Sequence, residues 1–99
     1  MRLTVSQAES IRHIAREMFG NEVQVTLFGS RARNDSKGGD VDLLVDIRSP
    51  VNEPAVMMAR LSARVSRALN GRKVDVLISA PNLNEFAIHR FARESGIVL

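Results

Sequence analysis

The eight residues Asp40–Ile47, DVDLLVDI, constrain this chain more than any other stretch. Val41, Leu43, Val45 and Ile47 are apolar, and Asp40, Asp42, Leu44 and Asp46 alternate with them. Such period-two alternation is the pattern of a half-buried strand. A strand needs neighbours, and its apolar face needs a cover, so the chain must build a sheet with something packed on it. The polar face makes a second demand. Asp40 and Asp42 project the same way, roughly 6–7 Å apart along the backbone. Carboxylates that close raise each other's cost of ionising. A divalent cation held between them reverses that penalty.

The rest of the chain supplies the sheet and its cover. Thr4 and Ser6 are both N-cap candidates, and Ser6 with Glu9 reads as a capping box. Ile11, Ile14, Ala15 and Met18 follow at helical spacing and Gly20 suits the stop, which predicts a helix over 6–19. Val23–Phe28 reads as a strand with Val23, Val25 and Leu27 on one face. Gly29–Gly39 reads as a loop with a short helical turn after Ser30. Beyond a turn bracketed by Pro50 and Pro54, Met58, Leu61, Val65 and Leu69 predict a helix over 53–69, and Lys73–Ile78 predicts a third strand. Asn82 reads as the N-cap of a last helix with Glu85 in its first turn and Leu83, Phe86, Ala87 and Phe91 on one face. Gly96 closes it and leaves Ile97–Leu99 as a tail. The order α-β-β-α-β-α predicts an α/β (α+β) fold: a small mixed β-sheet with helices packed on it, in one domain over residues 1–99.

Composition narrows the chemistry. The chain has no cysteine, which excludes a disulfide framework, thiol catalysis and Cys-ligated zinc. No apolar signal core precedes Glu9 and no run approaches membrane-spanning length, so a soluble, cytoplasmic protein is expected. The net charge is +3, and 12 of the 14 basic residues are arginines, the better residue for bidentate phosphate or carboxylate contacts. An anionic ligand or partner is favoured. Tyr and Trp are absent and only 4 Phe are present, which argues against a single-strand RNA reader built on stacking aromatics.

A lone Asp-x-Asp is more often a solvated strand edge than a metal platform. Asp75, the only acid in KVDVLI, changes the balance. If its strand pairs beside Asp40–Ile47, Asp75 projects beside Asp42, and the three carboxylates suit magnesium, with manganese as the alternative. Such a set could hold two metals for phosphoryl transfer, and Asp75 could also serve as base for an acceptor hydroxyl. Asp46 has the right parity but lies roughly 13 Å along the strand from Asp42, too far to share a metal. Gly29 and Ser30 end the preceding strand, where glycine permits close backbone approach and the hydroxyl and amides can hold phosphate oxygens. No Walker loop is present. Arg31 adjoins Ser30 and is read as a phosphate contact, whereas Arg33 and Lys37 are left open between phosphate contact and solvated loop.

A strand, Gly29-Ser30, a nine-residue gap, Asp40-Val41-Asp42 and an acid in a later strand together resemble the nucleotidyltransferase signature of the DNA polymerase β superfamily. GSRARNDSKGGDVDLLVD is the diagnostic stretch. The likeness runs along the whole chain and is nearest to the minimal nucleotidyltransferases, relatives of the catalytic domain of kanamycin nucleotidyltransferase. The resemblance implies a polymerase-β-like nucleotidyltransferase fold. It implies that Asp40, Asp42 and Asp75 ligate catalytic magnesium, and that Gly29 and Ser30 hold the phosphates of ATP or another NTP. Asn34 stands where members often have glycine, and Gly39 where they often have serine. Minimal members often act as antitoxins of HEPN-domain toxins, some by transferring AMP to a toxin tyrosine. The resemblance therefore implies protein adenylylation (AMPylation), with a non-catalytic antitoxin that works by occlusion as the alternative. Nucleic-acid binding ranks last.

A chain this short leaves little for a wall that selects an acceptor, so a partner or a second copy is expected to supply one. Leu83, Phe86, Phe91 and the Ile97–Leu99 tail are candidates for that contact, although core is the stronger reading for them. His13 and His89 read as surface or partly buried, with no metal partner at ligand spacing. Arg60, Arg64 and Arg67 fall at i, i+4 and i+7. A solvated face is the default reading, and a docking face for an acidic partner is the sharper one.

Overall fold

The structure, a computed structural model, describes residues 3–29 and 40–99. Its elements are α1 (Val5–Phe19), β1 (Gln24–Phe28), β2 (Val41–Asp46), α2 (Pro54–Ala68), β3 (Val74–Ser79), α3 (Ala87–Ser95) and β4 (Ile97–Val98). The strands form one mixed sheet in the order β3-β2-β1-β4. β1 runs antiparallel to β2 and β4, while β2 and β3 are parallel and joined through α2. This is the small α+β architecture that the alternation and element order predict. Among the described residues, no helix is long and apolar enough to cross a membrane.

Strand parity builds the two faces. Val41, Leu43 and Val45 join Val25, Leu27, Val74 and Ile78 in one core with Ile11, Ile14 and Ala15 of α1 and Leu61 and Val65 of α2. The opposite face is not simply solvated. Leu44 is fully buried there with Phe28 and Ala92, because α3 crosses that side of the sheet. β2 is thus half-buried only at its aspartates.

Several boundaries move for local reasons. The first helix is capped by Thr4, not Ser6: Gln7 N–H donates to Thr4 Oγ1 at 3.0 Å, and Thr4 N–H donates to Gln7 Oε1 at 2.9 Å. This earlier start lets Leu3 enter the core. The last helix begins at Ala87, well after Asn82. The Asn82 amide is spent on the loop after β2, accepting from Val51 N–H and donating to Val51 O, both at 2.9 Å. Phe86 and Phe91 are not core; they are 62% and 52% exposed, and the residues that α3 buries are His89 and Ala92.

His89 is buried, contrary to its reading as a surface or partly buried residue. Phe86 N–H donates to His89 Nδ1 at 3.1 Å, so the ring closes the open start of α3. With Nδ1 accepting, Nε2 carries the proton and donates to Ile78 O at 3.2 Å. The tail is also structured. Ile97 and Val98 pair with Leu27 and Thr26 as β4, and Leu99 N–H donates to Val25 O at 2.9 Å. Gly96 permits the turn from α3 into β4, since a Cβ there would lie 2.5 Å from Ala92 O and 2.7 Å from Leu27 O.

Candidate active site

The site is assembled by register. Asp42 lies opposite Phe28 in the antiparallel β1–β2 pair and opposite Asp75 in the parallel β2–β3 pair. Two carboxylates from neighbouring strands therefore share one face. Asp40 stands just before β2, and Lys73 just before β3. Val41 N–H donates to Lys73 O at 3.0 Å, which holds the two strand starts together. Lys73 Nζ lies 3.6 Å from Asp40 Oδ2.

Gly29 completes the near wall. Its φ of +74° belongs to the left-handed region, and a Cβ on it would lie 2.5 Å from Asp42 Oδ2. Only glycine gives the Asp42 carboxylate this room without strain. The expected phosphate-holding role of Gly29 thus comes with a geometric one, which is to leave space over the central acid. Ser30 and Arg31, the other expected nucleotide contacts, lie outside the described residues, as do Arg33 and Lys37.

Burial raises the Asp42 carboxyl above the ordinary carboxylate range, and the charges of Asp75 and Asp40 push it further up; Lys73 opposes them. Asp46 does not join this group. Arg93 grips it with Nε at 3.2 Å and Nη2 at 2.7 Å from Oδ1. Arg93 also donates to Ser79 Oγ at 2.9 Å and pairs with Glu85 at 2.5 Å. Glu85, expected in the first turn of the last helix, instead precedes α3 and helps clamp that helix to the sheet. The hydrogen bond to Asp46 holds the Arg93 guanidinium above its ordinary value.

Lys73 and Arg93 were not among the sequence candidates. Lys73 was findable, because it shares parity with Asp75 and so falls on the acidic face. Arg93 was not, because its pairing depends on how α3 crosses β2. Neither histidine enters the site: His13 is exposed and lies 3.5 Å from Glu17, a carboxylate at i+4 on the same helix.

Among the described residues, no three His, Cys, Asp or Glu side chains converge closely enough as placed to hold a metal ion. The donors fit one in kind. Asp40, Asp42 and Asp75 offer only hard carboxylate oxygens, as magnesium and manganese prefer. The charge crowding at Asp42 is what a divalent cation would relieve.

Carboxylates of Asp42 and Asp75 on adjacent strands, beside the Gly29 turn, thus stand on a small protein of the α+β class. Within that class, the chain belongs to the nucleotidyltransferase domain family, whose sequence profile matches residues 8–98. No curated protein matches the chain. The family's general chemistry is nucleotidyl transfer, and its members generally use divalent metals.

Proposed function

We propose that this chain is a minimal nucleotidyltransferase that moves AMP from ATP to a protein hydroxyl, and that its acceptor is a tyrosine of a HEPN-type toxin to which it serves as antitoxin. The observation that carries the chemistry is the Asp42–Asp75 register pair, with Asp40 two residues before Asp42 and Gly29 clearing space for the Asp42 carboxylate. Asp40, Asp42 and Asp75 would hold magnesium, which supplies charge neutralisation at the phosphates. Asp75 is the exposed member of the set and would take the acceptor's proton. The acceptor oxygen bonds to the α-phosphorus, the bond from that phosphorus to the bridging oxygen breaks, and pyrophosphate leaves. Gly29 and Ser30 would hold the phosphates, with Arg31 neutralising them.

The acceptor side is apolar. Leu77 lies two residues along β3 from Asp75 on the same face, and it lines a cavity of about 390 Å³ with Phe86, Ile88 and Met58. Such a lining suits an aromatic side chain presented by a folded partner. The test is incubation with magnesium, a candidate HEPN-type toxin, and ATP labelled at either the α- or the γ-phosphate. Label should pass to the partner from the α position only and be lost with Asp42→Asn. No transfer, or equal transfer by the variant, would overturn the reading. Full neutralisation of the toxin by a folded Asp40→Ala/Asp42→Ala variant would instead favour occlusion.

A further inference from the structure

The solvent side of α2 carries chemistry that nucleotidyl transfer does not use. Arg60, Arg64 and Arg67 recur along it, and Pro54–Ala68 contains no acidic residue. With Met18 of α1, Met57 and Ala63 they line an open groove of about 460 Å³. Arg64 is committed to Glu17 across the α1–α2 junction. Arg60 and Arg67 are exposed, and among the described residues neither has a carboxylate within ion-pair distance. Seven residues of helix separate them by about 10 Å along its axis. Among the described residues, the groove thus has an apolar floor and an unpaired guanidinium towards each end. Ala63 lies between them and leaves room for close approach.

These features select an occupant. Phosphates could meet the arginines, but a bound single strand also needs aromatic platforms for its bases, and the groove is lined by thioethers and a methyl group. Methionine is instead suited to receiving aliphatic side chains of varied shape. Guanidinium groups favour carboxylates in bidentate contact. We propose that the α1–α2 groove docks an acidic amphipathic helix of a partner protein, with an apolar side chain between Met18 and Met57 and carboxylates on Arg60 and Arg67. α2 packs on the sheet face built by Val41, Leu43 and Val45, while Asp42 and Asp75 lie on the other face. The docked helix therefore leaves the carboxylate site open, and the surface serves for attachment rather than occlusion.

The proposal is tested by fluorescence anisotropy with three synthetic amphipathic peptides that share one leucine face. Their flanking positions carry glutamate, glutamine or lysine. The glutamate peptide should bind best and weaken as salt rises from about 50 to about 300 mM. Arg60→Glu/Arg67→Glu should lose that binding by more than about tenfold and gain affinity for the lysine peptide, a swap that a misfolded variant cannot produce. Met57→Asp should weaken the glutamate peptide without reversing the preference. Equal binding of the glutamate and glutamine peptides, or an unchanged preference in the double variant, would overturn the proposal. So would tighter binding of oligouridylate that the same double variant abolishes.

Discussion

Asp42 carries a cost in stability that its proposed role would explain. Burial and two neighbouring acids raise its proton affinity in the folded chain above that of the unfolded chain. A raised carboxyl binds protons more tightly when folded, so the metal-free protein loses stability as pH rises from the ordinary aspartate value through the raised one. Asp42→Asn keeps the shape, including the fit under Gly29, and removes the charge. In chelator, this variant should melt higher than the native chain at neutral pH, and its melting temperature should vary less across that window. Thermal melts between about pH 4 and pH 7 read both effects. The same variant should lose transferase activity beyond the about 10–100-fold typical of outer-shell changes at metal sites. Lower stability of Asp42→Asn in chelator would mean that the carboxylate is held by favourable contacts rather than crowded.

At the scale of elements, the outer edge of the sheet is protected by side chains from elsewhere. Val41 and Ile47 N–H groups donate to Lys73 O and Ser79 O, so the even-numbered carbonyls of β3 face outward. Ser62 of α2 donates to Val74 O, and His89 of α3 donates to Ile78 O. These bonds blunt an edge that would otherwise invite another strand. The opposite edge is finished by β4, which depends on the tight turn at Gly96. Gly96→Ala would press a methyl group onto the carbonyls of Ala92 and Leu27 and onto Thr26 Cγ2. A loss of about 1–3 kcal/mol is expected, as for other overpacked sites. Denaturant titration should show it, with amide exchange rising first at Leu27, Val98 and Leu99. Helix α3 illustrates why the element pattern was only partly legible. Leu83, Phe86, Ala87 and Phe91 have helical spacing, but Asn82 caps nothing: its amide bonds a loop 31 residues away. Local sequence offers the cap, and tertiary structure takes the amide for another purpose.

At the scale of the whole molecule, any metal held between Asp42 and Asp75 would be linked to folding, because the two meet only when β2 and β3 pair in register. A ligand that binds only the folded state stabilises it by about 2.7 kcal/mol at a hundredfold excess over Kd. Magnesium or manganese should therefore raise the melting temperature progressively with the logarithm of its concentration. The rise should amount to several degrees per kcal/mol, at about 4–8 °C each for a domain of this size. Asp42→Asn should flatten that response, and calcium-free chelator should reverse it in the native chain. A melting temperature unmoved by either metal would separate these acids from any metal role.

The sequence by itself determined the sheet, the chain order of its main strands and helices, the apolar face of β2, and the family. The elements follow from period and spacing, which are local and survive in one dimension, and the family from the resemblance carried by GSRARNDSKGGDVDLLVD. It also offered the three aspartates as site candidates, by strand parity, and Gly29, by its place at the end of a strand. Only the tertiary structure decided which residues stand opposite one another. Register across β2 and β3 put Asp75 beside Asp42 and Lys73 beside Asp40. The crossing of α3 buried Leu44 and His89, gave Asp46 to Arg93 and left Phe86 and Phe91 exposed. Periodicity assigns a side chain to a face, but what covers that face depends on contacts between residues far apart in the chain. For the same reason Gly29, which the sequence offers as a phosphate-holding glycine, also proves to be the position whose missing side chain makes room for the Asp42 carboxylate.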